Sequence, residues 1–74
     1  MKNEWAGEVR ALLRAEMTRR QISYKDLVGL LKKIGVEETA ANLRNKISRG
    51  SFTAIFFVQV LRAIGCTSLR LDES

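Results

Sequence analysis

The chain has 74 residues, of which 46% are hydrophobic, so we expect one domain over residues 1–74 and no second one. Its formal net charge is +5, and with one cysteine and no histidine it lacks a partner for an internal disulfide and the usual ligands of a zinc site. No apolar run approaches the roughly 18 residues of a membrane-spanning helix, and no cleavable leader is visible. We therefore expect a cytoplasmic protein without membrane anchor, metal or cofactor.

The 3.6-residue periodicity predicts a first helix from about Glu4 to Arg20, with Asn3 as its N-cap. Its predicted inward face consists of Trp5, Val9, Leu12 and Leu13. Arg10 and Arg14 line a wetter face of the same helix. Glu16 falls close to the apolar face, so three interpretations stay open: the helix frays, it bends, or Glu16 has a basic partner.

A second helix is predicted to begin near Tyr24, because Ser23 followed by Asp26 has the spacing of a capping box. Its apolar residues are Leu27, Val28, Leu30, Leu31 and Ile34. Gly35 stands where a left-handed residue ends a helix. Gly29 lies inside the helix, where it either admits a neighbouring backbone or is simply tolerated.

A third helix is predicted over residues 39–49, capped by Thr39 or Glu38 and ended by Gly50. Leu43 and Ile47, four residues apart, point toward the core together with Ala40. The opposite, polar side carries Ala41, Asn42, Asn45, Ser48 and Arg49, with Arg44 and Lys46 at its flanks. Arginine and asparagine pair with base edges, whereas lysine and serine commonly hold phosphate. The alternative interpretation is an ordinary solvated helix face.

The fourth predicted helix, Phe52 to Ile64, is capped by Ser51, ended by Gly65 and apolar almost all the way round. Such a helix is either the central core element or one that also pairs with another subunit. The tail, residues 67–71, alternates like a strand; it either pairs with its twin across a dimer axis or tucks Leu69 and Leu71 onto the core. The predicted fold is thus a compact all-α domain of four helices, with or without a short C-terminal strand.

Charge is distributed unevenly along the chain. From Thr39 to Leu71 there is no acidic residue. The basic residues in this stretch are Arg44, Lys46, Arg49, Arg62 and Arg70. The asymmetry predicts one positive region, as expected of a protein that binds nucleic acid or another anionic partner.

The order of these features resembles that of phage-repressor-like (lambda-repressor-type) helix-turn-helix domains. In this chain, a first helix is followed by a capped second helix, a turn, a polar third helix ending Ser48-Arg49-Gly50 and an apolar fourth helix ending Ala63-Ile64-Gly65. The resemblance implies that the third helix enters the major groove of DNA. The candidates for base contact, with Arg49 added from its residue type and position, are Thr39, Asn42, Asn45, Lys46 and Arg49.

The same resemblance implies that the N-terminal ends of the second and fourth helices hold phosphate. It nominates Ser23, Tyr24, Lys25, Ser51 and Thr53, to which the polar face of the third helix adds Arg44 and Ser48. Two departures from the repressor pattern change the expected docking angle. The second helix is about a turn longer than usual, and the segment from Gly35 to Gly50 is also longer than usual. Glu37 and Glu38 either accept a hydrogen bond from a cytosine amine or stabilise the helix N-terminus.

More narrowly, the chain resembles, almost from end to end, a family of small bacterial domains of unknown function. The resemblance lies in Ile22-Ser23-Tyr24, the segment from Asn42 to Gly50, Phe52 and Gln59. It implies a fold and no established activity.

We therefore expect sequence-dependent binding of duplex DNA by a small transcriptional regulator that forms a homodimer. The alternative is a protein-interaction module that binds through the apolar helix 52–64, with Phe52, Phe56 and Phe57 either as anchors or as ordinary core. An enzyme is not expected, because histidine, an activated cysteine and a phosphate-binding glycine loop are all missing from the sequence.

Overall fold

Four α-helices follow one another in the computed structural model, which describes residues 4–71. They are α1 (Glu4–Arg19), α2 (Tyr24–Lys33), α3 (Ala40–Arg49) and α4 (Ala54–Ala63). The predicted all-α fold is confirmed. In the described part of the tail, residues 66–71 have no regular structure, so the chain by itself forms no C-terminal strand there. The predicted cap Asn3 lies outside the described residues.

The core is assembled from all four helices. Its fully buried side chains are Leu13, Leu27, Leu31, Leu43, Ile47 and Val60. Helix α2 packs against both α3 and α4, and α3 also packs against α1. Cys66 is buried beside this core, and its thiol donates a hydrogen bond to the carbonyl of Ser68 at 3.2 Å. Its predicted role as a small packing residue is confirmed.

The inward face of α1 differs from the predicted one. Trp5 is 74% exposed, and Leu12 is only half-buried, whereas Leu13 and Met17 are buried. The main helix-to-helix contact of α1 is with α3, so only a narrow stripe of α1 faces other helices. The prediction that Trp5 belongs to the core was therefore wrong.

Glu16 has found basic partners, which settles the question left open by its position. Its side chain is buried, and its carboxylate forms ion pairs with Arg19, at 2.9 Å, and with Arg20. A buried carboxylate is costly unless it is paired in this way. These ion pairs thus neutralise the buried carboxylate in the last turns of α1.

The beginning of α2 is as predicted. The amide of Asp26 donates to the Ser23 hydroxyl at 3.1 Å, and the amide of Ser23 donates to the Asp26 carboxylate at 3.1 Å, which completes the capping box. At the other end, Ile34 follows the last helical residue and is exposed, and the left-handed Gly35 comes next. Gly29 has open space around it, so no neighbouring backbone explains it and simple tolerance remains.

Helix α4 begins two residues later than predicted. Its N-cap is Thr53, whose hydroxyl accepts a hydrogen bond from the amide of Phe56 at 3.0 Å; Ser51 is not the cap. Phe52, just before the cap, stacks on Phe57 with ring centroids 6.1 Å apart. This pair forms a hydrophobic staple, which fixes where the chain enters the helix.

The three aromatic residues at this end belong to the core. Phe56 is buried, and the half-buried Phe52 and Phe57 pack against the core cluster. In the tail, Leu69 packs partly against the same cluster, whereas Leu71 is exposed. None of the four described helices combines the length and apolarity needed to cross a lipid bilayer.

Candidate nucleic-acid interface

Helix α3 is anchored by its inward face and capped at both ends. Leu43 and Ile47 are fully buried. The hydroxyl of Thr39 accepts a hydrogen bond from the amide of Asn42 at 3.1 Å, which identifies Thr39 as the N-cap. Gly50 ends the helix with φ +65°. The buried inner side of α3 therefore fixes how the helix is oriented, and its opposite side faces solvent.

The outer face of α3 presents amide and guanidinium groups to solvent. Asn42, Asn45 and Arg49 are all exposed, and their spacing of three and four residues aligns them along the helix. Ala41 is exposed beside them and adds little bulk. Three of the predicted base contacts thus lie on one accessible strip, called the α3 face below.

Lys46 lies on a flank of α3 and is already engaged within the protein. Its ammonium nitrogen is 2.6 Å from a carboxylate oxygen of Glu38 and 4.7 Å from the centroid of the Phe56 ring. The side chain is partly buried. The pair also accounts for Glu38, whose charge is directed at Lys46, whereas Glu37 is exposed.

On the other flank, Arg44 reaches the beginning of α2. Its guanidinium carbon lies 5.5 Å from the centroid of the Tyr24 ring, within the range of a cation–π interaction. Tyr24 is half-buried, and the next residue, Lys25, is exposed. Two of the predicted phosphate contacts, Tyr24 and Arg44, are therefore in direct contact.

The N-terminus of α2 carries its own negative charge. The backbone amide of Ser23, and then its hydroxyl, stabilise the Asp26 carboxylate and lower the pKa of Asp26; the nearby charge of Lys25 acts in the same direction. Asp26 is thus ionised at neutral pH. Because Ser23 is engaged with this carboxylate, it is a weaker phosphate donor than its position in the sequence indicates.

Two arginines of α1 contact the end of α3. Arg10 donates a hydrogen bond to the Ser48 carbonyl at 2.6 Å, and Arg14 donates one to the Ser48 hydroxyl at 3.0 Å. The sequence placed both arginines on a wet face, four residues apart, but did not indicate what that face meets. Ser48, a predicted phosphate contact, is thus held from α1.

The remaining predicted phosphate contacts lie in the segment that joins α3 to α4. Ser51 is exposed just after Gly50, and Thr53 is exposed as the cap of α4. Within residues 4–71, no group of three or more histidine, cysteine, aspartate or glutamate side chains lies close enough to hold a metal ion.

The family model described as "Domain of unknown function (DUF6471)" matches residues 5–69, and the chain belongs to this family. Neither a curated protein nor a solved structure matches the chain. The family has no known function, so the activity has to be inferred from the surface just described.

Proposed function

We propose that this domain binds duplex DNA in a sequence-dependent manner and acts as a small transcriptional regulator. The observation that carries the proposal is the α3 face, on which Asn42, Asn45 and Arg49 are exposed together and no carboxylate occurs within the helix. An α-helix fits the major groove, which is about 12 Å wide. The resemblance to phage-repressor-like domains supports the same placement of α3.

The residue types on the α3 face match the chemistry of base edges. Asparagine pairs with the N6 and N7 positions of adenine, and arginine pairs with O6 and N7 of guanine. The small Ala41 beside them permits close approach. We therefore assign the base contacts to Asn42, Asn45 and Arg49, with Thr39 at the leading end of the helix.

Lys46 has a different role in this proposal. Because its charge is paired with Glu38 and its ammonium group lies over Phe56, it ties α3 to α4 and to the preceding turn. We assign it no base contact. Among the exposed cationic groups, Arg44 and Lys25 are the better phosphate contacts, and Ser51 and Thr53 offer hydroxyl donors at the other end of the interface.

An amide NMR titration of the labelled protein with random-sequence duplex DNA tests the proposal, at low salt and again near physiological salt. We expect shifts concentrated in residues 42–49, 23–25 and 51–53, and we expect them to collapse as salt rises, because phosphate contacts release counterions. If no residue shifts even at low salt, the domain does not bind DNA.

Two variants separate sequence reading from general affinity. Arg49→Ala should weaken binding to every duplex, because a positive charge is lost, and should weaken it further at a selected site, where the contact to guanine is lost as well; Asn45→Ala should mainly reduce the preference for a selected site over random sequence. Arg62→Ala, which removes an exposed charge from α4, is the control. If Arg49→Ala and Asn45→Ala both bind like wild type, the α3 face is the wrong surface.

A second function is favoured by the outer side of α4. Ile55 is 71% exposed and Val58 is 53% exposed, and at a spacing of three residues they lie on one side of the helix. This side fits a protein partner, with Ile55 and Val58 as anchors in place of the inward-facing aromatics. Salt distinguishes the two functions, because apolar association persists or strengthens as salt rises.

A further inference from the structure

Helix α1 approaches the C-terminal end of α3 at Ser48, beside the α3 face. The Arg14 guanidinium donates to the Ser48 hydroxyl at 3.0 Å, and the Arg10 guanidinium donates to the Ser48 carbonyl at 2.6 Å. That carbonyl belongs to the last turn of α3, where carbonyl groups have no partner within the helix. Both arginines are thus held at the C-terminal end of the proposed reading helix.

Arg14 also borders the beginning of α2. A shallow groove of about 290 Å³ is lined by Arg14, Ser23 and Tyr24, together with Met17 and Thr18 of α1 and Ile22 of the loop that follows it. Tyr24 in turn lies under Arg44 of α3. Arg14 therefore joins two of the three places where we expect phosphate, the start of α2 and the end of α3.

The charge of Arg14 is not neutralised by an ion pair among residues 4–71. Arg19 and Arg20 at the end of the same helix are paired with Glu16, but the observed partner of Arg14 is a neutral hydroxyl. A guanidinium carries five N–H donors, so one hydrogen bond to Ser48 leaves most of them for another acceptor. The Ser48 oxygen accepts that bond and so keeps its own hydroxyl hydrogen to donate.

We propose that Arg14 of α1 is a phosphate-binding residue of the DNA interface and that Arg10 is a positioning residue that holds α3 through the Ser48 carbonyl. The inference rests on the proposed function of the α3 face. Arg14 and Ser48 form a pre-organised pair of donors for one phosphate on the α1 side of the groove. In the same arrangement, Arg44 contacts the DNA backbone on the side of Tyr24.

Fluorescence anisotropy with a labelled random-sequence duplex tests the role of Arg14 between 50 and 200 mM salt. Losing one phosphate contact should lower the slope of log affinity against log salt by about one. Salt rises fourfold over this range, so the loss of affinity of Arg14→Gln should be smaller than that of wild type by a factor of about 3.5 to 4. Arg62→Gln, the same charge change on α4, should keep the wild-type slope.

Further measurements separate contact from structural support. Ser48→Ala keeps the Arg14 charge, so its affinity should fall while its salt slope stays at the wild-type value. Arg10→Gln should also keep the slope, since Arg10 acts through the helix and not on phosphate. In the wild-type protein, the side-chain N–H resonance of Arg14 should shift when DNA is added, which requires no variant to fold.

The outcomes are distinguishable. If wild type binds DNA in a salt-dependent manner but Arg14→Gln keeps the full slope and the Arg14 resonance does not move, the assignment of Arg14 is wrong and the α3 face stands. A changed slope in Arg10→Gln would overturn its positioning role. If wild type does not bind at 50 mM salt, the proposed function itself fails, and this inference fails with it.

Discussion

Gly50 meets two requirements, and only one of them is visible in the sequence. It has φ +65°, and a Cβ atom at this position would lie 2.1 Å from the backbone oxygen of Ala6 in α1. Gly65 also has a positive φ, of +80°, but open space around it. Gly29 is exposed in the middle of α2, again with nothing near it. The three glycines thus separate backbone strain, steric clash and helix propensity.

Alanine at these three positions should give three different results. We expect Gly50→Ala to lower the free energy of unfolding by about 3 kcal/mol or more, because strain and clash add. Gly65→Ala should cost about 1 kcal/mol from the left-handed backbone alone. Gly29→Ala should raise the stability by about 0.5–1 kcal/mol.

Urea unfolding followed by circular dichroism measures all three. If Gly50→Ala is no less stable than Gly65→Ala, then α1 does not pack against the end of α3 as described. The sequence predicts a helix end at Gly50 because that rule is local. It does not predict Ala6 as the neighbour, because that contact depends on how α1 packs on α3.

Element boundaries follow the same division between local and distant causes. The start of α2 is predictable because Ser23 and Asp26 form a capping box within four residues. The start of α4 was misplaced because Ser51 and Thr53 are both acceptable caps. The stacking of Phe52 on Phe57 selects Thr53. A staple is recognisable in sequence, but only after the cap has been chosen.

Removing each hydroxyl tests this account of α4. Thr53→Ala should lower the free energy of unfolding by about 1 kcal/mol, because the Phe56 amide loses its acceptor. Ser51→Ala should change it by less than about 0.5 kcal/mol, as expected for an exposed residue outside the helix. Thermal unfolding of the two variants beside wild type is sufficient. A larger loss in Ser51→Ala would place the cap where the sequence first suggested it.

The candidate site divides in the same way. The α3 face was predictable because helical periodicity decides which residues oppose Leu43 and Ile47. The engagement of Lys46 with Glu38, and of Ser48 with two arginines of α1, was not predictable, because these contacts depend on tertiary packing. Residue type predicts the chemistry of the exposed face, and tertiary packing decides which of its cationic side chains are engaged within the protein.

At the scale of the whole molecule, the apolar residues of α4 have separated into two sides. Phe56 and Val60 are buried in the core, as is Ile64 just after the helix, whereas Ile55 and Val58 face outward. The sequence left open whether such a helix is central, intersubunit, or both. The buried residues of α4 show that it is a core element. An intersubunit role needs a second chain. Under the proposed function, a dimer would gain DNA affinity by placing two α3 helices about one turn of DNA apart, ~34 Å.

We predict a homodimer joined through the outer side of α4. Sedimentation at high protein concentration should show a dimer in wild type and a monomer in Val58→Glu, because the dimer would have to bury an unpaired charge. Leu71→Glu is the matched variant: it puts the same charge at another exposed apolar residue, in the tail that could otherwise pair across a dimer axis.

The two variants and salt together decide how the dimer forms and whether DNA binding uses it. If Leu71→Glu dissociates the dimer and Val58→Glu does not, the tail is the interface and α4 is not. A monomer in wild type at every concentration contradicts both.

Raising the salt should leave an apolar dimer intact, whereas the DNA should dissociate from the protein. Val58→Glu should then lower affinity for a duplex with two half-sites far more than for one with a single half-site, because only the dimer gains from simultaneous binding.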